Sequence, residues 1–231
     1  MQRIAKAISS AGVCSRREAE RLIAQGFVKV DGIIIDSPAT LVDLSNVIEV
    51  QDRKIKQALT PRLWIYYKPT GLLTTHNDPQ GRETVFEHLG DLPRVISVGR
   101  LDLNSEGLLL LTNNGELARF FELPANKMER VYKVRAYGDT KELERAKFPV
   151  EIEGVVYNPK EIKLIKKGST NSWFEVILEE GKNREIRKIF EYFGLSVSRL
   201  IRIKYGPFLL GELKEGEYLE QNFSKFKDFI K

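Results

Sequence analysis

Cysteine and histidine are scarce in this chain of 231 residues, which has one cysteine and two histidines. One cysteine cannot form an internal disulfide, and with two histidines it cannot supply the ligands of a zinc cluster. Long apolar runs are missing too, since none approaches the ~20 residues needed to cross a bilayer. The N-terminus also lacks the apolar segment of a signal peptide, so we expect a cytoplasmic protein without a membrane span.

Positive charge is gathered into two segments, although the net charge is only +5. Residues 1–30 carry six cations against two carboxylates, and residues 182–204 carry seven against two. Either segment alone could be a solvated charged face. Two patches in an otherwise balanced chain favour a polyanionic partner, because neutralising phosphates releases counterions.

The first fifty residues predict a small helix-helix-hairpin unit. Ile4, Ala7 and Ile8 recur at helical spacing, and a capping box from Ser15 to Glu18 opens a second helix. The Asp31-Gly32 pair lies between two apolar segments, which predicts a β-hairpin. Residues 51–60 are polar and end before a proline, so we predict domains at 1–50 and 61–231 joined by a linker at 51–60.

The larger region predicts an α+β fold with a mixed, mainly antiparallel β-sheet flanked by helices. Its short apolar or alternating segments have strand length, and a few stretches have helical periodicity. The predicted strands are 63–67, 95–98, 108–111, 130–137, 161–167, 174–178 and 200–205. The predicted helices are 116–122 and 140–147, and within residues 179–190 Ile186, Ile189 and Phe190 share a helical face.

Asp102 lies in a polar loop between two apolar segments, where a rigid scaffold often presents a reactive side chain. Three interpretations compete. The carboxylate could simply bind backbone N–H groups of a turn. A calcium loop fails, because the twelfth position is Asn113 rather than a bidentate glutamate. The third interpretation is a catalytic carboxylate beside Arg100, and spacing alone does not decide between the first and the third.

A family resemblance favours the catalytic interpretation. The stretch from Gly99 to Gly115 reads GRLDLNSEGLLLLTNNG and resembles the active-site signature of the pseudouridine synthases that modify ribosomal RNA. The catalytic aspartate of that family falls on Asp102. Lys68 to Gly71 resembles the family's KPxG element at the start of the catalytic domain.

The resemblance also implies partners for Asp102. Tyr132 could be an ordinary strand aromatic, but Arg130-Val131-Tyr132 fits the family's slot for a tyrosine that stacks on the target uracil. Residues 180–190 could form a plain amphipathic surface helix, yet they resemble the family's third motif, whose cation pairs with the aspartate and falls on Arg187. The family usually has glutamine where this chain has Glu185, which leaves a role for that residue open.

Residues 1–50 resemble a small RNA-binding module named after a ribosomal protein of the small subunit, through AGVCSRREAERLIAQGFVKVDG. An exposed cationic helix of this kind would read the shape and phosphates of structured RNA. The residues that we expect to contact RNA are Arg3, Arg16, Arg17, Arg21 and Lys29 here, and Arg100, Arg184 and Lys188 in the larger region.

Together these resemblances predict that the chain isomerises a specific uridine to pseudouridine in ribosomal RNA, alone or within an assembling subunit. The Gly206-Pro207-Phe208 turn is more typical of the large-subunit enzymes. We expect a monomer that needs no metal or organic cofactor. Two rivals are a non-catalytic RNA-binding or ribosome-assembly protein with a degenerate synthase fold, and a metal-dependent nuclease using Asp102 and Glu106.

Overall fold

The computed structural model describes residues 1–56 and 60–229, which divide into two compact units. The first unit comprises residues 1–62, 91–96 and 112–115, and the second comprises 63–90, 97–111 and 116–231. Residues 57–59 of the predicted linker lie outside the described residues.

Two helices and short strands build the first unit. They are β1 (Gln2–Arg3), α1 (Ile4–Ser10), α2 (Arg16–Ala24), β2 (Val28–Val30), β3 (Ile33–Ile34), β4 (Leu41–Val42), β5 (Ile48–Val50) and β6 (Arg53–Lys54). Both predicted helices are confirmed, and the Ser15 hydroxyl caps α2 by accepting from the Glu18 N–H at 3.1 Å. The apolar faces of the helices form a core with β2, β4 and β5.

The predicted hairpin is confirmed, since Asp31 and Gly32 both have positive φ and connect β2 to β3. The predicted linker, however, contains a strand. Gln51 and Asp52 also have positive φ, so the chain turns back and β6 pairs with β5. This turn escaped prediction because it lacks the glycine that usually marks such a position. The resulting sheet has the order β3-β2-β5-β6.

A nine-stranded sheet forms the centre of the second unit. Its strands are β7 (Leu63–Lys68), β8 (Ile96–Val98), β9 (Glu106–Thr112), β10 (Arg130–Tyr137), β13 (Glu161–Lys166), β14 (Asn171–Leu178), β15 (Ser196–Tyr205), β16 (Phe208–Leu209) and β17 (Tyr218–Glu220). The main order is β13-β14-β10-β15-β9-β7-β17, with β8 beside β9 and β16 beside β15. β9 and β15 run parallel, whereas β10 is antiparallel to both of its neighbours, so the predicted mixed sheet is confirmed.

Helices and a separate hairpin flank this sheet. They are α3 (Gly115–Glu122), α4 (Lys141–Arg145), β11 (Val150–Ile152), β12 (Val155–Tyr157) and α5 (Glu185–Tyr192). The side chains of Phe174 on β14 and Phe190 on α5 meet edge to face, with ring centroids 5.1 Å apart. The predicted helices therefore exist, and α5 packs on the sheet through its apolar face.

The strands β14 and β15 begin three and four residues earlier than predicted, at residue 171 instead of 174 and at 196 instead of 200. Both lie beside β10, whose eight residues pair along their whole length. Tyr137 at the end of β10 stands opposite Asn171 on one side and Ser196 on the other. Polar residues at these strand ends conceal the pairing in the sequence.

Candidate active site

A cleft of about 710 Å³ opens in the second unit. Four of the predicted site residues line it, namely Asp102, Tyr132, Arg100 and Arg184. Its volume lies within the range of small-molecule sites and is sufficient for one nucleotide. Arg187 and Lys188 are not among the described residues that line this cleft.

The Asp102 side chain is exposed, while the backbone of its loop, between β8 and β9, is held firmly. The Thr74 hydroxyl donates to the Leu101 carbonyl at 3.0 Å, and the Gly71 N–H donates to the Leu103 carbonyl at 2.8 Å. The Ser105 N–H donates to the carbonyl of Asp102 itself at 3.0 Å. The carboxylate thus stands in the cleft on a preorganised support.

The Lys68 side chain binds the backbone of the Asp102 loop. Lys68 was not predicted as a site residue, although its KPxG element was recognised in the sequence. Its ammonium is fully buried and donates to the carbonyls of Pro69 (2.9 Å), Leu103 (3.4 Å) and Ser105 (2.9 Å). Burial lowers the pKa of Lys68 to about 8, an effect that the carboxylates of Asp102 and Glu106 partly oppose. A lysine directly before a proline at a strand end was the available signal.

Arg187 reaches the same loop from α5. Its Nη2 donates to the Asn104 carbonyl at 2.8 Å, and its Nη1 donates to the Val197 carbonyl at 3.2 Å. Burial lowers the pKa of Arg187, repulsion from Arg184 adds to this effect, and attraction to Asp102 opposes it. Within the described residues no ion pair shorter than 4 Å joins Arg187 to Asp102, so in this structure the guanidinium binds the backbone of the loop.

A bidentate ion pair anchors the strand that follows the loop. Arg199 on β15 donates to both carboxylate oxygens of Glu106 at 2.6 and 3.0 Å, and the Tyr67 hydroxyl donates to the same carboxylate at 3.2 Å. The hydrogen bonds from Arg199 are the largest cause of the lowered pKa of Glu106. Glu106 is therefore engaged in holding β9 against β15, which gives it a structural task rather than the metal-binding one of the nuclease hypothesis.

Gly107 allows β9 and β15 to approach closely. Its φ is +100°, and a Cβ at this position would lie 2.4 Å from the carbonyl oxygen of Arg202. A side chain cannot be accommodated there without moving the backbone. The glycine five residues after Asp102 therefore determines how the loop meets β15.

Tyr132 lies on β10, in the side of the cleft that β10 and β15 form. Buried cations lie beside it. It is 8% exposed and stands opposite Arg202, whose Nε donates to the Leu108 carbonyl at 2.7 Å. Arg130 donates to the Tyr205 hydroxyl at 2.8 Å, and both guanidinium groups lie within 5.0 Å of the Tyr205 ring centroid. Sequence reasoning missed Arg130 and Tyr205 as lining residues because they look like ordinary strand positions.

Glu185 lines the cleft with a buried carboxyl group. One oxygen accepts from the Lys182 N–H at 3.0 Å, while the other is buried and lacks a hydrogen-bond partner in the described part of the chain. Burial is the main reason why the pKa of Glu185 is raised. A neutral carboxyl resembles the amide of glutamine, which the family usually has at this position.

Several predicted RNA contacts are already paired. In the first unit Arg3, Arg16 and Arg17 are exposed, but Arg21 binds Glu18 at 2.5 Å and Lys29 binds Asp52 at 2.7 Å. Lys188 of the second patch pairs with Glu153 at 3.1 Å. Arg21 remains exposed beside its carboxylate partner and Lys29 is partly exposed, so their contact with RNA stays a prediction.

The second cationic segment, 182–204, is not one phosphate-binding patch. Arg202 is buried, Arg199 is paired with Glu106, and Lys204 pairs with Glu129 at 3.2 Å. Side chains of one strand point to alternating faces, so neighbouring charges in sequence separate in space.

Residues 1–56 and 60–229 contain no group of three or more His, Cys, Asp or Glu side chains arranged to hold a metal ion. Over the same residues, no helix combines the length and apolar character required to cross a membrane.

Comparison with known proteins assigns the family. Residues 62–192, which include the Asp102 loop, β10 and α5, match the RNA pseudouridylate synthase family. The chain belongs to this family. Residues 2–48 match the S4 domain, so the synthase carries an S4 domain at its N-terminus.

Relatives of this synthase cover nearly the whole chain. A Rickettsia felis protein named "Uncharacterized RNA pseudouridine synthase" is 65% identical over 223 residues, which is 96% of this chain and 97% of that protein. The "Ribosomal large subunit pseudouridine synthase B" of Pasteurella multocida is 42% identical over 237 residues, covering 96% of this chain and 68% of that protein.

A solved structure shares the fold of this synthase. It is described as "Crystal structure of pseudouridylate synthase", has a TM-score of 0.67 at 24% identity, and the match covers 100% of both chains.

Proposed function

We propose that this synthase converts a specific uridine of large-subunit ribosomal RNA to pseudouridine, with Asp102 as the reactive carboxylate. The observation that carries the proposal is that Asp102 and Tyr132 line one nucleotide-sized cleft. The carboxylate is exposed on a loop whose backbone accepts hydrogen bonds from the buried Lys68 and the partly buried Arg187. This arrangement fixes a reactive group in place and leaves it open to a substrate.

The reaction rearranges bonds within one nucleotide. The glycosidic bond to the ring nitrogen breaks, the uracil turns, and a new bond forms to carbon 5 of the ring. A base inside folded RNA must first be extruded, at a cost of a few kcal/mol. Asp102 acts as nucleophile or base on the ribose or the uracil, and Tyr132 stacks on the uracil.

The cations divide into two roles in this proposal. Arg187 positions Asp102 through the Asn104 carbonyl. Arg100 and Arg184 are exposed beside the cleft. They fill the gap that the extruded base leaves in the RNA, or they bind the phosphates that flank this base. Lys188 lies further along α5 and meets phosphate after exchanging its partner Glu153.

The S4 domain supports a second RNA contact. Arg3, Arg16 and Arg17 are exposed there and can meet phosphate directly, whereas Arg21 and Lys29 must exchange a carboxylate for it. We propose an RNA-binding module at residues 1–50 and a catalytic domain at 61–231, joined by residues 51–60, of which β6 pairs with the sheet of the first unit. We further propose that the protein is cytoplasmic and monomeric. Light scattering of the purified chain tests the monomeric state.

The large-subunit substrate rests on the printed names of relatives such as the Pasteurella protein and on the Gly206-Pro207-Phe208 turn. Mapping pseudouridine in both ribosomal RNAs from cells with and without the gene tests it. A missing modification in small-subunit RNA would contradict the large-subunit assignment.

Asp102→Asn tests the mechanism, because the amide keeps the size of the side chain and removes its charge. We expect pseudouridine formation to be lost and RNA affinity to be retained. Asp91→Asn, at another exposed aspartate, is the matched control and should leave activity intact. Undiminished product from Asp102→Asn would remove this carboxylate from the mechanism.

The same assay separates the rivals. A non-catalytic assembly protein would bind RNA and form no pseudouridine even as wild type. A metal-dependent nuclease would cleave the RNA and lose activity on addition of a chelator, whereas we expect isomerisation to continue.

A further inference from the structure

The central sheet has a second, open face behind the cleft. Along β10 the side chains alternate, so that Tyr132 lines the cleft while Lys133, Arg135 and Tyr137 are exposed on the opposite face. This reverse face lies over β10, β14 and β13. It takes no part in the proposed chemistry.

Three side chains on the reverse face form a row across neighbouring strands. Trp173 on β14 stands opposite Arg135 on β10 and opposite Lys166 on β13. The indole is partly exposed and the two cations are exposed. The order across the sheet is therefore cation, aromatic ring, cation, and we call these three residues the Trp173 row.

A hollow of about 250 Å³ lies against this row. Its rim is the turn from Gly168 to Asn171, where a Cβ on Gly168 would lie 2.2 Å from the Asn171 carbonyl oxygen. The Asn171 side chain donates to the Thr170 hydroxyl at 3.2 Å, which adds polar groups to the rim. The hollow is therefore bounded by a tight, polar turn and by the indole ring of Trp173.

The cations of the row differ from their neighbours in having no acidic partner. Lys160, Lys167 and Lys204 each bind a glutamate at 3.2 Å or less. No carboxylate in residues 1–56 and 60–229 lies within 4 Å of the charged groups of Arg135 or Lys166. An anion that binds here displaces no internal ion pair.

We propose that the Trp173 row is a second binding site for an unpaired RNA segment, separate from the Asp102 cleft. A phosphodiester lies between Arg135 and Lys166 in the hollow, and a base stacks on Trp173. Single-stranded nucleic acid is bound by this combination of cations and an aromatic platform. An acidic protein would use the cations but would have no particular need for a half-exposed indole. The proposal rests on the proposed function in taking RNA as the partner.

The tryptophans provide a direct readout. The chain has two, and Trp64 is only 1% exposed, so a ligand on the reverse face changes the fluorescence of Trp173 alone. Titration of the full chain with an oligouridylate of about eight nucleotides should quench this emission. Polyglutamate of equal charge serves as the acidic-polymer control and should not.

The double variant Arg135→Glu/Lys166→Glu tests the cations, and Lys147→Glu, an exposed lysine away from the sheet, is its matched control. The double variant should weaken oligouridylate binding by about tenfold or more at ~0.1 M salt. The slope of log affinity against log salt should fall by about 1.4, the value for two single-strand phosphate contacts. Lys147→Glu should change neither.

Activity separates this site from the cleft. At saturating ribosomal RNA the double variant should keep the wild-type rate of pseudouridine formation, while requiring more RNA to reach it. Quenching by polyglutamate but not oligouridylate, or an unchanged salt slope, would overturn the proposal. Because quenching needs no turnover, a wild-type chain that binds oligouridylate but forms no pseudouridine would refute the proposed function and leave this site standing.

Discussion

Two cations beside the Asp102 loop and β9 in the second unit and three cations of the first unit have opposite surroundings. Lys68 and Arg202 are buried and donate to main-chain carbonyls around β9 and the Asp102 loop. Arg3, Arg16 and Arg17 are exposed on the first unit. A buried cation shapes the backbone and cannot leave it, whereas an exposed one remains available to phosphate. The count of positive residues in the sequence does not distinguish these two uses.

Lys68→Met should have the largest effect, because it removes the donor to the carbonyls of Pro69, Leu103 and Ser105 and nearly keeps the volume of the side chain. We expect a loss of about 3 kcal/mol in the free energy of unfolding, since unsatisfied buried groups are costly, and severe loss of pseudouridine formation. Urea denaturation and product analysis measure the two effects. Lys147→Met, at an exposed position, should alter neither. A stable and active Lys68→Met chain would contradict the role of the buried ammonium.

Gly107→Ala should come next, since the new Cβ meets backbone atoms of Arg202 at 2.4 and 2.8 Å. We expect about 2–3 kcal/mol of destabilisation and a displaced Asp102 loop. Gly81→Ala separates backbone strain from steric contact. Gly81 also has positive φ, but a Cβ added there would have no heavy atom within 4 Å. That control should cost only ~1 kcal/mol. Equal costs for the two variants would mean that the contact with β15 does not constrain position 107.

Glu185→Gln tests a buried carboxyl through pH. The folded-state pKa of Glu185 is raised above 4.5 by burial, so the folded chain binds this proton more tightly than the unfolded chain. The free energy of unfolding of the wild type therefore falls as pH rises from about 4.5 through the folded-state pKa. The free energy of unfolding of the glutamine variant lacks this pH-dependent decrease. The stability of the variant relative to the wild type should therefore rise between about pH 4.5 and the folded-state pKa, and should stay constant above it.

Urea titrations at a series of pH values measure the difference. Glu142→Gln, at an exposed position, should show no such trend. A Glu185→Gln variant whose advantage shrinks with rising pH would show that the carboxylate, not the neutral acid, is favoured in the folded chain.

The smallest effects should come from the N-terminal cations. Arg16→Ala/Arg17→Ala should reduce the salt slope of RNA binding by about 1.8, for two contacts on a helical RNA, with stability changed by less than ~0.5 kcal/mol. Arg21→Ala/Lys29→Ala should reduce it less, because each of these cations already has a carboxylate partner. RNA-binding curves at a series of salt concentrations measure both slopes. Equal slopes for the two double variants would contradict the expected difference between them.

Much of the fold could be predicted from local signals. The Ser15 cap, the Asp31-Gly32 turn and the alternation of β10 each reflect a rule that acts within a few residues. The strand β6 escaped because its turn has an unusual composition, and the early part of β15 escaped because its pairing partner is distant in sequence.

The candidate site was predictable only where a motif named the residue. The loop and Tyr132 followed from resemblance, but the contacts of Lys68 with Leu103 and Ser105 and the Glu106–Arg199 pair connect residues 35 or more positions apart. Such pairings depend on sheet order, which periodicity does not reveal. Arg202, one of the seven cations counted in residues 182–204, is buried beside β9 for the same reason.

The parallel pairing of Glu106 and Gly107 with Ile201 and Arg202 has a consequence during translation. A nascent chain synthesised only as far as α3 already contains Asp102 but lacks α5 and β15, which complete its surroundings. Contacts of such large sequence separation form late and slowly. We therefore expect a chain truncated after α3 to carry the aspartate without a formed pocket.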